Sequence, residues 1–189
     1  EVLNNLGLES RKYILLSAHR EENIDIEENF LSLMNSINML AEKYNMPILY
    51  SCHPRSKKNI QKKNFKFDDR VILNEPLGFF DYNKLQQNAF CVISDSGTLP
   101  EESAFFNFPA ISIRTSTERP EALDKGVFII GSISSNHIFQ AVDMAVEMHR
   151  NLEITCEVPA YIDENVSTKV VKLIQSYTGI VNKMIWRKQ

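Results

Sequence analysis

Six short apolar runs, each followed by a polar exit and then a helical segment, constrain this chain more than any other feature. They cover residues 13–17, 46–52, 70–73, 90–93, 110–113 and 127–130. No hairpin signal separates them, so the strands must be parallel and joined by crossover helices on both faces of one sheet. The expected class is α/β, a three-layer domain with a six-stranded parallel sheet. Between the runs, Phe30, Leu33, Met34, Ile37, Leu40 and Ala41 recur at spacings of three and four, which predicts a helix over 28–44 with Asp25 as its cap. Further helices are predicted over 57–63, 79–88, 100–107 and 135–150, the last with Ile138, Ala141, Val142, Ala145 and Val146 inward. Beyond it, 159–163 reads as an extended crossing and 166–186 as a final helix with Val170, Val171, Ile174 and Tyr177 inward.

The domain is expected over 13–150, after a 1–12 segment that ends an interdomain connection and before a crossing segment and C-terminal helix over 151–189. Without an initiating Met, the chain is expected to be a piece of a longer protein.

Open parallel sheets hold ligands beyond the carboxyl ends of their strands. The chemically capable residues collect there: His19 and Arg20 after the first strand, His53 after the second, Leu77 and Gly78 after the third, Ser96 and Gly97 after the fourth, Glu118 and Arg119 after the fifth. The fourth exit, Ser94-Asp95-Ser96-Gly97-Thr98-Leu99-Pro100-Glu101-Glu102, reads as strand, tight turn and helix. Its N–H groups at Gly97 and Thr98 would point outward at the positive end of the helix dipole, a place for phosphate, and Gly97 lets an anion come close. An ordinary βα turn that binds nothing has the same outline. Glu101 reads as a complement to the dipole, whereas Glu102 serves either that purpose or as an acceptor for ribose hydroxyls.

His19, with Arg20, Glu21 and Glu22 beside it to set its charge, could donate to phosphate or act as acid and base; a structural loop histidine is the competing reading, more so for His53. Phe79 and Tyr82 either stack on a base or fill the core. The Walker phosphate loop, the G-x-G-x-x-G turn and the G-x-S-x-G elbow are all missing from the sequence.

A net charge of −3, spread along the chain, gives no argument for nucleic acid or an acidic membrane surface, and the basic run from Arg55 to Lys66 reads as a solvated helix face. Cys52, Cys91 and Cys156 are odd in number and widely spaced, which suits neither a metal set nor a disulfide framework and fits a reducing, cytoplasmic setting; Cys52 and Cys91 are expected in the core. No apolar run approaches the roughly 20 residues that a membrane helix needs.

Five segments carry a resemblance: Ser17-Ala18-His19-Arg20-Glu21-Glu22-Asn23, His53-Pro54, Pro76-Leu77-Gly78, the fourth exit itself, and Thr117-Glu118-Arg119-Pro120-Glu121-Ala122. In this order and spacing, from about residue 13 to 131, the chain resembles the non-hydrolysing UDP-N-acetylglucosamine 2-epimerases. That resemblance implies the C-terminal, Rossmann-like half of a GT-B-like two-domain fold, with a UDP-sugar in the cleft and a missing N-terminal Rossmann-like domain carrying the acid and base carboxylates. It implies that Ser96, Gly97 and Thr98 hold the diphosphate, Glu102 the ribose, and Leu77, Gly78, Phe79 and Tyr82 face the uracil. Arg20 would line the phosphate side, His53 would lie near the cleft, Glu118 and Arg119 would shape its floor, and His19 would be catalytic.

The family chemistry removes the C2 proton, eliminates UDP to a glycal and re-adds it with C2 inverted. No nicotinamide or metal cofactor is expected, since UDP is both leaving group and returning nucleophile. The resemblance leaves room for a homo-oligomer and implies that this chain alone does not epimerise. Two departures, Gly97-Thr98 where the family has Gly-Gly and Glu21 where it has a second arginine, together with Cys52-His53-Pro54-Arg55-Ser56, are more similar to a particular branch. That branch acts on UDP-2-acetamido-2,6-dideoxy-L-talose to form UDP-N-acetyl-L-fucosamine for bacterial capsule and O-antigen. A glycosyltransferase of the same two-domain architecture and a nucleotide-sugar-sensing domain without chemistry are the alternatives.

Overall fold

The computed structural model describes residues 1–151 and 157–188. All six apolar runs form strands: β1 (Ile14–Ser17), β2 (Ile48–Ser51), β3 (Val71–Asn74), β4 (Cys91–Ser94), β5 (Ala110–Ser112) and β6 (Ile129–Ile130). Around them lie α1 (Val2–Asn5), α2 (Glu21–Ile24), α3 (Glu27–Tyr44), α4 (Pro54–Lys63), α5 (Phe79–Asn88), α6 (Leu99–Phe106), α7 (Pro120–Asp124) and α8 (Ser135–Arg150). The strands build one all-parallel sheet in the order β3-β2-β1-β4-β5-β6.

Side chains divide between the two faces with the period of two that a strand imposes. Ile14, Leu16, Ile48, Tyr50, Cys91, Ile93 and Ile111 enter one buried cluster with Phe30, Leu33, Ile37 and Leu40 of α3 and Ile138 and Val142 of α8. Tyr13, Leu15, Leu49 and Val92, one residue out of phase, are buried outside that cluster. The Tyr13 hydroxyl donates to the Leu85 carbonyl of α5 at 2.5 Å, which ties that helix to the opposite face. Both faces are therefore covered, and each fully buried Leu or Ile contributes roughly 1.5–3 kcal/mol. Helices α3, α4 and α6 each stop at an asparagine, Asn45, Asn64 and Asn107, in the left-handed conformation that Asn tolerates better than other side chains.

Several local expectations are corrected. The polar exit after the first strand, where no helix was predicted before residue 28, contains one: Glu21–Ile24 winds into α2 with its two glutamates at the positive end of the turn. Asp25 does not cap α3; Ile26 takes that place without a side-chain bond, and the Asp25 carboxylate pairs with Arg55 instead. Helix α4 begins before the basic run, at Pro54, since proline suits the first helical position and His53 Nδ1 accepts from the Arg55 N–H at 3.3 Å. Cys52 and Cys91 are buried as expected, whereas Cys156 lies outside the described residues.

The chain divides into two compact units, Glu1–Val158 and a second beginning at Pro159. In the second, the expected extended crossing opens instead with a 3-10 turn over Pro159–Tyr161, followed by α9 (Val166–Met184). Val170, Val171, Ile174 and Tyr177, predicted to face inward, are all exposed, and no residue of α9 is buried. A single helix has no second apolar layer within its own unit to close its stripe. No helix among the described residues is long and apolar enough to cross a membrane.

The sheet order fixes where a site can form. The chain runs from β1 outward through β2 and β3, then returns to lay β4 against β1, pairing Ser17 with Ser94. Loops leaving these two strands turn in opposite directions, and the crevice opens between them.

Candidate nucleotide site

At the head of that crevice, Asp95 gathers the loop leaving β1. It is fully buried and accepts from the His19 N–H at 2.9 Å, the Arg20 N–H at 2.9 Å and the Asn23 side-chain amide at 3.1 Å. His19 Nδ1 lies 3.0 Å from its other oxygen, which leaves Nε2 as the ring nitrogen available to a ligand. The hydrogen bond to Asp95 raises the His19 pKa, against the opposing effect of burial. Asp95, and not the neighbouring Glu21 and Glu22, therefore sets the charge of His19: Glu21 is turned to Arg55 at 2.9 Å, and the Arg20 charge opposes protonation. For Asp95, burial alone would push the carboxyl up, but the bonds from His19, Arg20 and Asn23 hold it below its ordinary value.

Asn23 is 4 % exposed and also donates to the Ile113 carbonyl at 3.1 Å, so one amide links the exits of β1, β4 and β5. Arg20 spends only its Nε, on the Asp95 carbonyl at 3.0 Å. Among the described residues its two terminal nitrogens have no hydrogen-bond partner, so they are available to an anion.

The turn after β4 departs in one respect from the sequence reading. The Thr98 N–H is not free but donates to Ser96 Oγ over a long 3.3 Å, while the Ser96 N–H is held by Ser94 Oγ at 3.0 Å. Among the described residues the Gly97 N–H has no such acceptor. A side chain added at Gly97 would meet nothing within 4 Å, and its backbone is not left-handed. The fold itself thus has no need of glycine there, and open space stands above it. Glu102, in the first turn of α6, accepts from Thr98 Oγ1 at 2.8 Å and from the Gln86 side-chain amide of α5 at 2.5 Å. Burial, and after it the charge of Glu102, keeps the Tyr82 hydroxyl in its phenol form beside the hydroxyls of Ser17 and Ser94.

The remaining residues take more distant places. His53 caps α4 and brings its ring centroid within 6.3 Å of that of His19. Leu77 is partly covered and Gly78 caps α5; Phe79 is 70 % exposed, which removes the core reading for that residue. Glu118 forms a two-bond clamp on the buried Arg114, at 2.6 and 2.7 Å, and that guanidinium holds its carboxyl down at about 2. Arg119 pairs with Glu101, so this glutamate does more than face the helix dipole.

Asp95, Asn23, Arg114 and Gln86 were not assigned roles from the sequence. A carboxylate at the end of a strand neighbouring β1 was the available signal for the first, but it becomes legible only with the strand order in hand.

Comparison with known proteins accords with this geometry. The profile of the family described as UDP-N-acetylglucosamine 2-epimerase matches residues 1–175. The UDP-N-acetylglucosamine 2-epimerase of Methanocaldococcus jannaschii is 32% identical over 143 residues, covering 74% of this chain and 39% of that protein. The structure of the Rickettsia bellii UDP-N-acetylglucosamine 2-epimerase superposes with a TM-score of 0.79 at 37% identity, over 100% of this chain and 50% of that one. The Methanocaldococcus jannaschii UDP-GlcNAc 2-epimerase, solved in complex with UDP-GlcNAc and UDP, gives a TM-score of 0.75 at 28% identity, over 87% and 45%. The chain thus spans about two-fifths to one half of the length of these relatives. With a profile matched over most of its length and a crevice built from the segments that prompted the resemblance, the chain belongs to the UDP-N-acetylglucosamine 2-epimerase family.

Proposed function

We propose that this chain is the UDP-binding half of a UDP-sugar C2 epimerase. The observation that carries the reading is the group at the β1–β4 switch point. There a buried carboxylate orients His19, Arg20 has no hydrogen-bond partner for its terminal nitrogens among the described residues, and Gly97 stands open where the fold does not require a glycine. A homologue solved with UDP-GlcNAc and UDP supports the choice of ligand.

In this reading the turn Ser96-Gly97-Thr98 and Arg20 hold the diphosphate, Glu102 the ribose, and Leu77, Gly78, Phe79 and Tyr82 the uracil side. His53, Glu118 and Arg119 shape the rest of the cleft, the last two through their pairs with Arg114 and Glu101. His19, oriented by Asp95 and with its pKa raised by that hydrogen bond, is placed to stabilise charge on the departing diphosphate. Proton removal at C2 falls to carboxylates of an N-terminal domain outside this chain. The C2 proton leaves, the C1–O bond to UDP breaks to give a glycal, and UDP returns as C2 is reprotonated from the other face. This balance needs neither nicotinamide nor metal. The L-talose-type sugar of the fucosamine branch is the proposed substrate, with capsule and O-antigen precursors as its use, on the strength of Thr98 and Glu21.

Calorimetric titration of the chain with UDP tests the reading: binding is expected, and no detectable binding at millimolar UDP overturns it. Turnover of the UDP-sugar by the full-length protein in deuterated water is expected to place deuterium at C2. Transfer of the sugar to an acceptor without that label would make the protein a glycosyltransferase instead.

A further inference from the structure

The two oxygens of Glu102 are each held by a neutral donor from a different place: Oε1 by the Thr98 hydroxyl at 2.8 Å and Oε2 by the Gln86 amide at 2.5 Å. A carboxylate offers about four acceptor positions, so each oxygen keeps one free. Two such positions side by side match the vicinal hydroxyls of a ribose. We propose that Gln86 is a positioning residue that fixes the Glu102 carboxylate for ribose and thereby sets the preference of the site for ribonucleotides. This rests on the nucleotide reading given above.

The arrangement costs the fold something. Gln86 is 1 % exposed, and since a carboxylate only accepts, its amide must turn the NH2 toward Glu102. That leaves Gln86 Oε1 buried with no hydrogen-bond partner among the described residues. A buried acceptor without a donor is destabilising, and an apolar side chain of the same size would avoid the penalty. The Gln86 side chain lies on α5 and its partner on α6, so the contact sets the Glu102 rotamer from outside its own helix. The Thr98 hydroxyl, present where the family pattern has a second glycine, fixes the other oxygen. With both oxygens held, the carboxylate enters the binding reaction already oriented, and less is lost on ordering it.

The test compares UDP with 2′,3′-dideoxy-UDP, which carries the same base and diphosphate but no ribose hydroxyls. The wild-type chain is expected to prefer UDP by about a hundredfold, the scale of two hydrogen bonds to a charged group. Gln86→Met should narrow this preference to about tenfold or less by weakening UDP while leaving the dideoxy nucleotide unchanged. Equal weakening of both nucleotides, or an unaltered preference, overturns the proposal, because a residue that merely ties α5 to α6 would act on both alike. Should Gln86→Met fail to fold, Thr98→Val, at an exposed position, is expected to narrow the same ratio, and an unchanged ratio there counts equally against the clamp. A wild-type chain that binds both nucleotides equally well overturns the ribose clamp while nucleotide binding stands. One that binds neither overturns the nucleotide reading and this proposal with it.

Discussion

His19 Nδ1 stands 3.0 Å from a carboxylate oxygen of Asp95 whose side chain is wholly removed from solvent, while the imidazole itself remains 45% exposed. The pKa of His19 is raised, chiefly by the hydrogen bond it donates to Asp95, and that of Asp95 is lowered by its donors in spite of burial. A raised histidine contributes stability in full below its unfolded value, about 6.5, and loses it as pH climbs through the folded value. A depressed aspartate contributes above its unfolded value, about 3.9, and loses it as pH falls through the folded value. The pair therefore stabilises the fold most between about pH 4 and 6.5. An NMR titration is expected to place His19 above about 6.5 and to show it falling in Asp95→Asn. The difference in urea midpoint between wild type and His19→Gln should be largest near pH 5 and shrink toward pH 9; a difference that grows with pH would count against the pair.

Asn23 donates to Asp95 and to the Ile113 carbonyl from a position 4 % exposed. Asn23→Ala leaves both acceptors short of a donor in a buried place, so a loss of about 1–3 kcal/mol is expected by denaturant unfolding. The same change should raise the Asp95 pKa, shifting the acid limb of the stability profile to higher pH. A stability loss without that shift would mean that Asn23 supports the Ile113 strand end and not the carboxylate.

The elements that sequence reading placed well are those whose determinants are local. Helices α5 and α8 fall on residues 79–88 and 135–150 as predicted, because periodicity and flanking breakers specify them without reference to the rest of the chain. The strands shift by a residue or two at their ends, since a short apolar run does not say which of its residues will find ladder partners. Asp95 stayed unread for a different reason. Its partners His19, Arg20 and Asn23 lie 72 to 76 residues away and meet it only because β4 returns beside β1. The α9 stripe failed for want of tertiary context: an amphipathic pattern specifies that a face is apolar, not that the same compact unit supplies the surface to cover it.

Phe79, 70 % exposed at the head of α5, packs edge-on against Phe80 with ring centroids 5.6 Å apart. Exposure on this scale means that Phe79→Ala should change stability by less than about 0.5 kcal/mol. If the ring stacks on the base, UDP affinity should fall by about 1–3 kcal/mol, and a control titration with inorganic pyrophosphate, which has no base, should not change. Equal loss for both ligands would place the effect on the phosphate side and remove Phe79 from the uracil face.

Gly97 and Gly131 make opposite predictions from the same substitution. A Cβ on Gly131 would come to 2.6 Å from Ile111 Cγ2 and 3.2 Å from Ala141 Cβ, both within the packing of β5 and α8. The branched Ile111 side chain is stiff at its first torsion and cannot swing clear, so Gly131→Ala should cost about 1–3 kcal/mol of stability. At Gly97 the added methyl meets no protein atom and no left-handed backbone is imposed, so Gly97→Ala should leave the unfolding midpoint within about 0.5 kcal/mol of wild type. If the turn holds the diphosphate as proposed, its effect should appear only with ligand, as at least a tenfold loss of UDP affinity, about 1.4 kcal/mol, because the methyl would occupy the space through which a phosphate reaches the turn. Measuring both variants by denaturant unfolding and by UDP titration separates a glycine the fold requires from one that a ligand requires. Wild-type affinity in Gly97→Ala would take the diphosphate away from this turn.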